Sequence, residues 1–246
     1  MSRRRLLIGF IVVLLGVGAA IWWTQFRTDP VSEASLPVLT TVVLPSSSGA
    51  VATSGGAPAG STVVAAGTTS AEGSWNVVAD ADTFVGYRID EQFAAGAVNK
   101  TAVGRTPSVR GSVSVAGSKA VTAAFEADMT VLKSDDARRD SALRSRAIQS
   151  STFPKSTFAL TQPIDFGALP KIATEISTKA VGTLTLHGVA KEIALDLTAR
   201  WAGDRIDIVG KAPISLVDFG IEPPTITGIL TVQDHGTLEV QLHLAR

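Results

Sequence analysis

The chain contains no cysteine. Disulfide frameworks, thiol nucleophiles and thiolate metal sites are therefore excluded together. Histidine is scarce: His187, His235 and His243 are the only three. No two of them stand at metal-ligand spacing, and no Gly-x-Ser-x-Gly elbow occurs. Charged residues make up only 18% and balance at 22 basic against 22 acidic, so no global field favours nucleic acid or another charged partner. The acidic pairs Asp80/Asp82 and Asp135/Asp136 are accounted for by a turn and a helix start. Nothing in this set builds a catalytic constellation, and no cofactor is implied. What remains is apolar: 45% of the 246 residues are hydrophobic.

Composition divides the chain into three. Arg3, Arg4 and Arg5 precede an uncharged stretch from Leu6 to Phe26, which Arg27 closes. That run is long enough for a transmembrane helix, which needs about 20 apolar residues. Trp22, Trp23 and Phe26 fall where an interfacial aromatic belt would sit. The basic cluster predicts a single pass over residues 1–27 in the cytoplasmic membrane, with everything beyond it extracytoplasmic. Cleavage as a signal peptide is the competing reading, disfavoured by the length of the run. Residues 28–73 have no aromatic side chain and many Ser, Thr, Gly, Ala and Pro, which predicts a disordered, flexible tether.

Residues 74–246 follow period two. Val85, Tyr87 and Ile89 alternate with Phe84, Gly86 and Arg88, and Phe125, Ala127 and Met129 with Ala124, Glu126 and Asp128. Leu184 and Leu186 flank Thr185; Ile193, Leu195 and Leu197 alternate with Ala194, Asp196 and Thr198. Leu238, Val240, Leu242 and Leu244 alternate with Glu239, Gln241 and His243. Such stretches are strands with one wet and one dry face. Turn signals at Ala116-Gly117-Ser118, His187-Gly188, Ala202-Gly203-Asp204 and Asp234-His235-Gly236 separate them. The pattern predicts an all-β antiparallel sandwich or barrel, and closure, which removes exposed edges, favours the barrel.

One segment departs from period two. From Ser134 to Gln149 the residue types predict a helix, with Ser134 as N-cap, Asp135 and Asp136 in the first turn, and Leu143, Ala147 and Ile148 packing it on the barrel mouth. Arg138, Arg139, Arg144 and Arg146 form either a solvated helix face or a site for a lipid head group, with Arg139 and Arg144 the candidates. The inward stripe of Val85, Tyr87, Phe125, Met129, Phe158, Leu160, Leu184, Leu186, Leu195 and Val240 either fills the barrel or lines a cavity. The small residues Ala127, Gly182, Gly210 and Ala212 argue for residual space. Asp218 reads as a turn-capping residue rather than a catalytic one.

Four stretches resemble the YceI-like family of bacterial lipid-binding proteins. They are Ser74-Trp75-Asn76-Val77 with Thr83-Phe84-Val85-Gly86-Tyr87; Arg139-Asp140-Ser141-Ala142-Leu143-Arg144-Ser145 with Phe153-Pro154-Lys155-Ser156-Thr157-Phe158; Gly182 to Lys191; and Val217-Asp218-Phe219-Gly220-Ile221. Four positions depart from the family pattern: Ala142 replaces a histidine, Ala147 and Ile148 replace paired aromatics, and Leu216 displaces an arginine. The resemblance implies an eight-stranded lipocalin-like antiparallel barrel holding a polyisoprenoid or similar amphiphile, exported beyond the membrane. It adds Leu143, Ile148 and Phe219 to the expected lining. The reading is thus a membrane-anchored lipid-binding protein, not an enzyme. Its rival is a ligandless cell-envelope interaction or stress module. The oligomeric state stays open, a dimer included.

Overall fold

The computed structural model describes residues 31–38 and 70–246. The expected anchor over 1–27 lies outside the described residues, as does most of the expected tether. Among the described residues no helix is long and apolar enough to cross a membrane.

In chain order the described strands are β1 (Gly73–Val77), β2 (Phe84–Phe93), β3 (Val98–Thr106), β4 (Val109–Ala116), β5 (Lys119–Asp128), β6 (Lys133–Ser134), β7 (Lys155–Leu160), β8 (Ile164–Asp165), β9 (Glu175–Leu186), β10 (Val189–Trp201), β11 (Arg205–Ser215), β12 (Thr225–Ile226) and β13 (Leu230–Ala245). Eight of them form a closed antiparallel ring in the order β1-β4-β5-β7-β9-β10-β11-β13, with β13 returning to β1. The seam is short: Asn76 faces Ala245 and Val77 faces Leu244. Trp75 anchors it, fully buried, with its indole N–H donating to the Ala71 carbonyl at 2.7 Å and the Arg246 guanidinium 4.5 Å over its ring. Beyond the seam the long β13 pairs instead with β2, and β2 with β3. These two strands extend the wall past the ring.

The predicted periodicity is realised as expected. Val85, Leu184 and Leu195 point inward. The turns at Gly117-Ser118 and Gly203-Asp204 lie between strands as read. His187 and Gly188, both at positive φ (51° and 74°), make the two-residue hairpin turn joining β9 to β10. Asp234-His235-Gly236 is not a turn. It lies inside β13, where the register with β2 shifts between Val232 and Gly236. The Asp234 carboxylate is spent on the neighbouring corner, accepting from the Val217 N–H and the Ser215 hydroxyl, both at 2.9 Å. Asp234, not the exposed Asp218, therefore caps that turn.

The helix begins later and ends differently than its sequence suggests. Helix α1 spans Ala137–Ala142 and continues as a wider π turn over Leu143–Ala147. Ser134 is no N-cap because its backbone is committed to the sheet, opposite Gly104 of β3. Its hydroxyl donates to the Asp136 carbonyl at 2.7 Å, and Asp140 reaches back to accept the Ser134 N–H at 2.6 Å.

Three of the small inward residues are packing devices rather than space. A Cβ on Gly182 would stand 2.4 Å from the Phe158 ring and 2.5 Å from the Ala159 carbonyl oxygen. The ring lies across this glycine. Similarly, a Cβ on Gly210 would meet Val240 at 2.9 Å, and Ala212 is buried against Leu195 and Val240.

The outer face carries an unusual amount of buried polarity. Glu239 is fully buried on the outside of β13, accepting from Arg88 Nε at 2.6 Å and Arg105 Nη2 at 3.3 Å. His243, read as outward-facing, does face out but is only 4% exposed, its Nδ1 2.5 Å from Asp80 Oδ2. The loop before β2 covers it. Of the expected tether, Glu33–Val38 lies along the same face: Ser35 N–H donates to Gln241 Oε1 at 2.9 Å, Arg200 bonds the Pro37 carbonyl, and Lys211 pairs with Glu33.

Candidate ligand-binding site: two joined apolar chambers

Inside the wall are two cavities, one of about 160 Å³ and one of about 390 Å³. The first lies within the ring, between Trp201 and Ile206 at one end and Leu238 at the other. The second lies under β2, β3 and α1. Val85, Ser156, Leu184 and Leu238 border both. The two apolar chambers therefore adjoin, with these four residues as their common wall.

Most of the predicted lining is there. Val85, Phe125, Phe158, Leu160, Leu184, Leu195 and Val240 line the first chamber. Tyr87, Met129, Leu143, Ile148 and Leu186 line the second, with Val85 and Leu184 again. Phe219 does not. It is 2% exposed and packs in the core beneath its turn, whose corner is closed by Gly220 at φ 67°. Ala142, Ala147, Ile148 and Leu216, the positions at which the resemblance implies a histidine, paired aromatics and an arginine, all line the second chamber. Small or aliphatic side chains there leave an apolar pocket where a histidine, an aromatic and an arginine would bring polarity or bulk.

Of the two arginine candidates, only Arg139 reaches the interior. It lines the second chamber, donating from Nε at 3.1 Å and Nη2 at 2.7 Å to the two oxygens of Glu91, with Nη1 paired to Asp135. Burial works against its charge, but the Glu91 and Asp135 carboxylates more than offset that and hold it firmly protonated. Arg144 is exposed and lines neither chamber, because the π turn carries it onto the solvent side. The Arg138 side chain lies outside the described ones.

Sequence reasoning missed Glu91, which is 4% exposed in the second chamber. The signal was present: the register that puts Val85, Tyr87 and Ile89 inside puts Glu91 inside as well. Tyr87 adds a second polar feature. Its ring lies against Gly104, and its hydroxyl is buried without a hydrogen-bond partner. Burial holds that phenol protonated far above its usual range. Among the described residues no cluster of His, Asp and Glu is arranged to hold a metal ion.

Comparison with known proteins agrees with this architecture. The YceI-like domain model matches residues 75–244. The fold is similar to that of a polyisoprenoid-binding domain from Saccharophagus degradans implicated in plant cell wall breakdown, at 18% identity and a TM-score of 0.54, over 70% of this chain and 97% of that one. BcnA of Burkholderia cenocepacia aligns at 17% identity and a TM-score of 0.47, over 64% of this chain and 95% of that one. A YCEI protein of Campylobacter jejuni aligns at 20% identity and 0.47, over 58% and 84% respectively. At 18% identity the likeness to the Saccharophagus degradans domain is one of fold. No curated protein matches the chain. The matched segment takes in both chambers and all of their walls from Trp75 onward, and the chain belongs to the YceI-like family.

Proposed function

We propose that this protein binds a long, mostly apolar amphiphile of isoprenoid type, and that it does so outside the cytoplasmic membrane while tethered by its N-terminal segment. The observation that carries the reading is the pair of apolar chambers meeting at Val85, Leu184 and Leu238. Two chambers in series suit a chain-like ligand better than a compact one. Each methylene buried there contributes about 0.8 kcal/mol, so two isoprene units supply several kcal/mol before the cost of ordering them. No precise polar geometry is needed for that part.

The polar end of the ligand belongs in the second chamber, where Tyr87 offers an unpaired hydroxyl beside the Arg139–Glu91 pair. Arg139 is already balanced by two carboxylates, so a neutral hydroxyl or carbonyl fits better than a phosphate. The chemistry is that of binding rather than turnover. The export and anchoring reading rests on the sequence of residues 1–27.

Native mass spectrometry of the full chain, purified gently from its own membranes, tests the proposal. An apolar adduct of several hundred daltons is the expected result. A barrel that comes out empty, and that gains no mass on incubation with a prenyl alcohol, leaves the rival interaction module as the reading.

A further inference from the structure

The second chamber reaches the surface between two hairpin tips. The first joins β2 to β3 through Phe93-Ala94-Ala95-Gly96-Ala97-Val98, and the second joins β12 to β13 through Ile226-Thr227-Gly228-Ile229-Leu230. They lie side by side: Leu230 pairs with Phe93, and the Ala94 N–H donates to the Ile229 carbonyl at 3.0 Å. Neither tip has a charge. The run Gln92–Asn99 is uncharged, and so is Pro223–Gln233. Ile226 is 53% exposed and Ile229 60% exposed, both on the same uncharged tip. Ile226 also lines the second chamber, together with Phe93, Pro224 and Leu230. The apolar surface therefore runs without a break from the outside of the tips into the cavity.

We infer that these paired tips are a membrane-docking element, inserting Ile226 and Ile229 into the apolar boundary of a lipid bilayer so that a lipid can pass between bilayer and chamber without crossing water. The inference rests on the lipid-binding reading and names where the lipid enters. The continuity of surface favours a bilayer over a protein partner: a protein needs a complementary patch, whereas a migrating chain needs an unbroken apolar path. The opposite end of the interior is different. Leu169 and Ile172 are exposed there near the Pro170 that lines the first chamber, but Lys171 lies between them. Without charge on the tips, docking owes little to electrostatics and is insensitive to ionic strength.

The absence of cysteine makes the test clean, because one introduced thiol is the only one to label. The full chain carrying Ile229→Cys, labelled with an environment-sensitive fluorophore, is reconstituted with phosphatidylcholine vesicles containing brominated acyl chains. The label at 229 should be quenched, at low and high salt alike, while a label on Leu169→Cys should not. A label at 229 that is unquenched, or quenched no more than the one at 169, overturns the inference. Transfer of a fluorescent prenyl alcohol from vesicles supplies the second measurement. Ile229→Asp, at a position that does not line the chamber, should slow transfer about tenfold or more while leaving affinity for the same probe in free solution unchanged. Unchanged transfer overturns the docking inference alone. A wild-type chain that binds no probe in free solution sinks the lipid-binding reading instead, and quenching at 229 still reports docking.

Discussion

Replacing Gly182 and Ala123, two small inward residues, should have opposite effects. In Gly182→Ala the new methyl stands 2.4 Å from the Phe158 ring and 2.5 Å from the Ala159 carbonyl oxygen, distances that force movement. A Gly→Ala change with room to spare would stabilise by about 0.4–1 kcal/mol through the unfolded chain. Overpacking of this kind costs about 1–3 kcal/mol, because the ring can be displaced into the chamber but the backbone oxygen cannot. The net expectation is destabilisation of about 1–2 kcal/mol. Ala123, in contrast, lines the first chamber and is itself only partly buried, so free space stands before it. Ala123→Leu buries three more carbons, about 2.4 kcal/mol, less up to about 1 kcal/mol of leucine rotamer freedom. That variant should be more stable by about 1 kcal/mol and should bind a prenyl probe about tenfold more weakly, since it occupies the same volume. Urea unfolding gives both stabilities, provided the slopes match wild type, and probe fluorescence gives the affinities. A stabilised Gly182→Ala protein would refute the account of Phe158. An Ala123→Leu protein that binds as wild type would refute the first chamber as part of the ligand site.

Further expectations follow from single side chains. Tyr87→Phe removes a buried hydroxyl that has no partner, so the ligand-free protein should gain about 1 kcal/mol, read as a higher urea midpoint. The same change should weaken a prenyl alcohol more than the corresponding hydrocarbon, and equal losses would argue against a polar end near Tyr87. Glu239→Ala leaves the half-buried Arg88 and Arg105 without their shared carboxylate and should cost about 3 kcal/mol, measured the same way. The acid response has a definite sign. Burial tends to raise the Asp80 pKa, but the His243 ring and the Thr83 N–H outweigh it, while the Val217 N–H holds Asp234 down. Both carboxyls sit below their ordinary range, so their contribution is complete above the unfolded value of about 3.9 and is lost as the pH falls through the lower folded values. Thermal midpoints should therefore fall on acidification below about pH 4, and Asp234→Asn should blunt that fall.

The strands were legible because period two is a local property: Leu238 to Leu244 declares its inward face without reference to any partner. Hairpins held where the turn chemistry is self-contained, as at His187-Gly188. Asp234-His235-Gly236 misled because a turn signal and a kink within a strand use the same residues, and only the pairing of β13 with β2 tells them apart. Ser134 failed as an N-cap for a similar reason, since a two-residue pairing with β3 claims its backbone. Side-chain size was the least readable quantity. Gly182 and Ala127 both look like vacancies in the chain, yet one is filled by a ring from the neighbouring strand and the other borders the first chamber. Phe219 belongs to an inward-looking motif but is spent on sealing its own corner. Glu91 was within reach of the same parity argument that placed Tyr87, and its charge drew attention away from it.

The strand that closes the ring is the last one in the domain to be synthesised. Until β13 is made, β1 lacks one of its two neighbours, β11 has a bare edge, and β2 has no partner on the side that β13 will occupy. Until that strand is made the domain is an open, unfinished sheet, held back by contacts distant in sequence. Such a chain remains threadable for most of its synthesis, and it also needs shielding from its own sticky inner face over that whole interval.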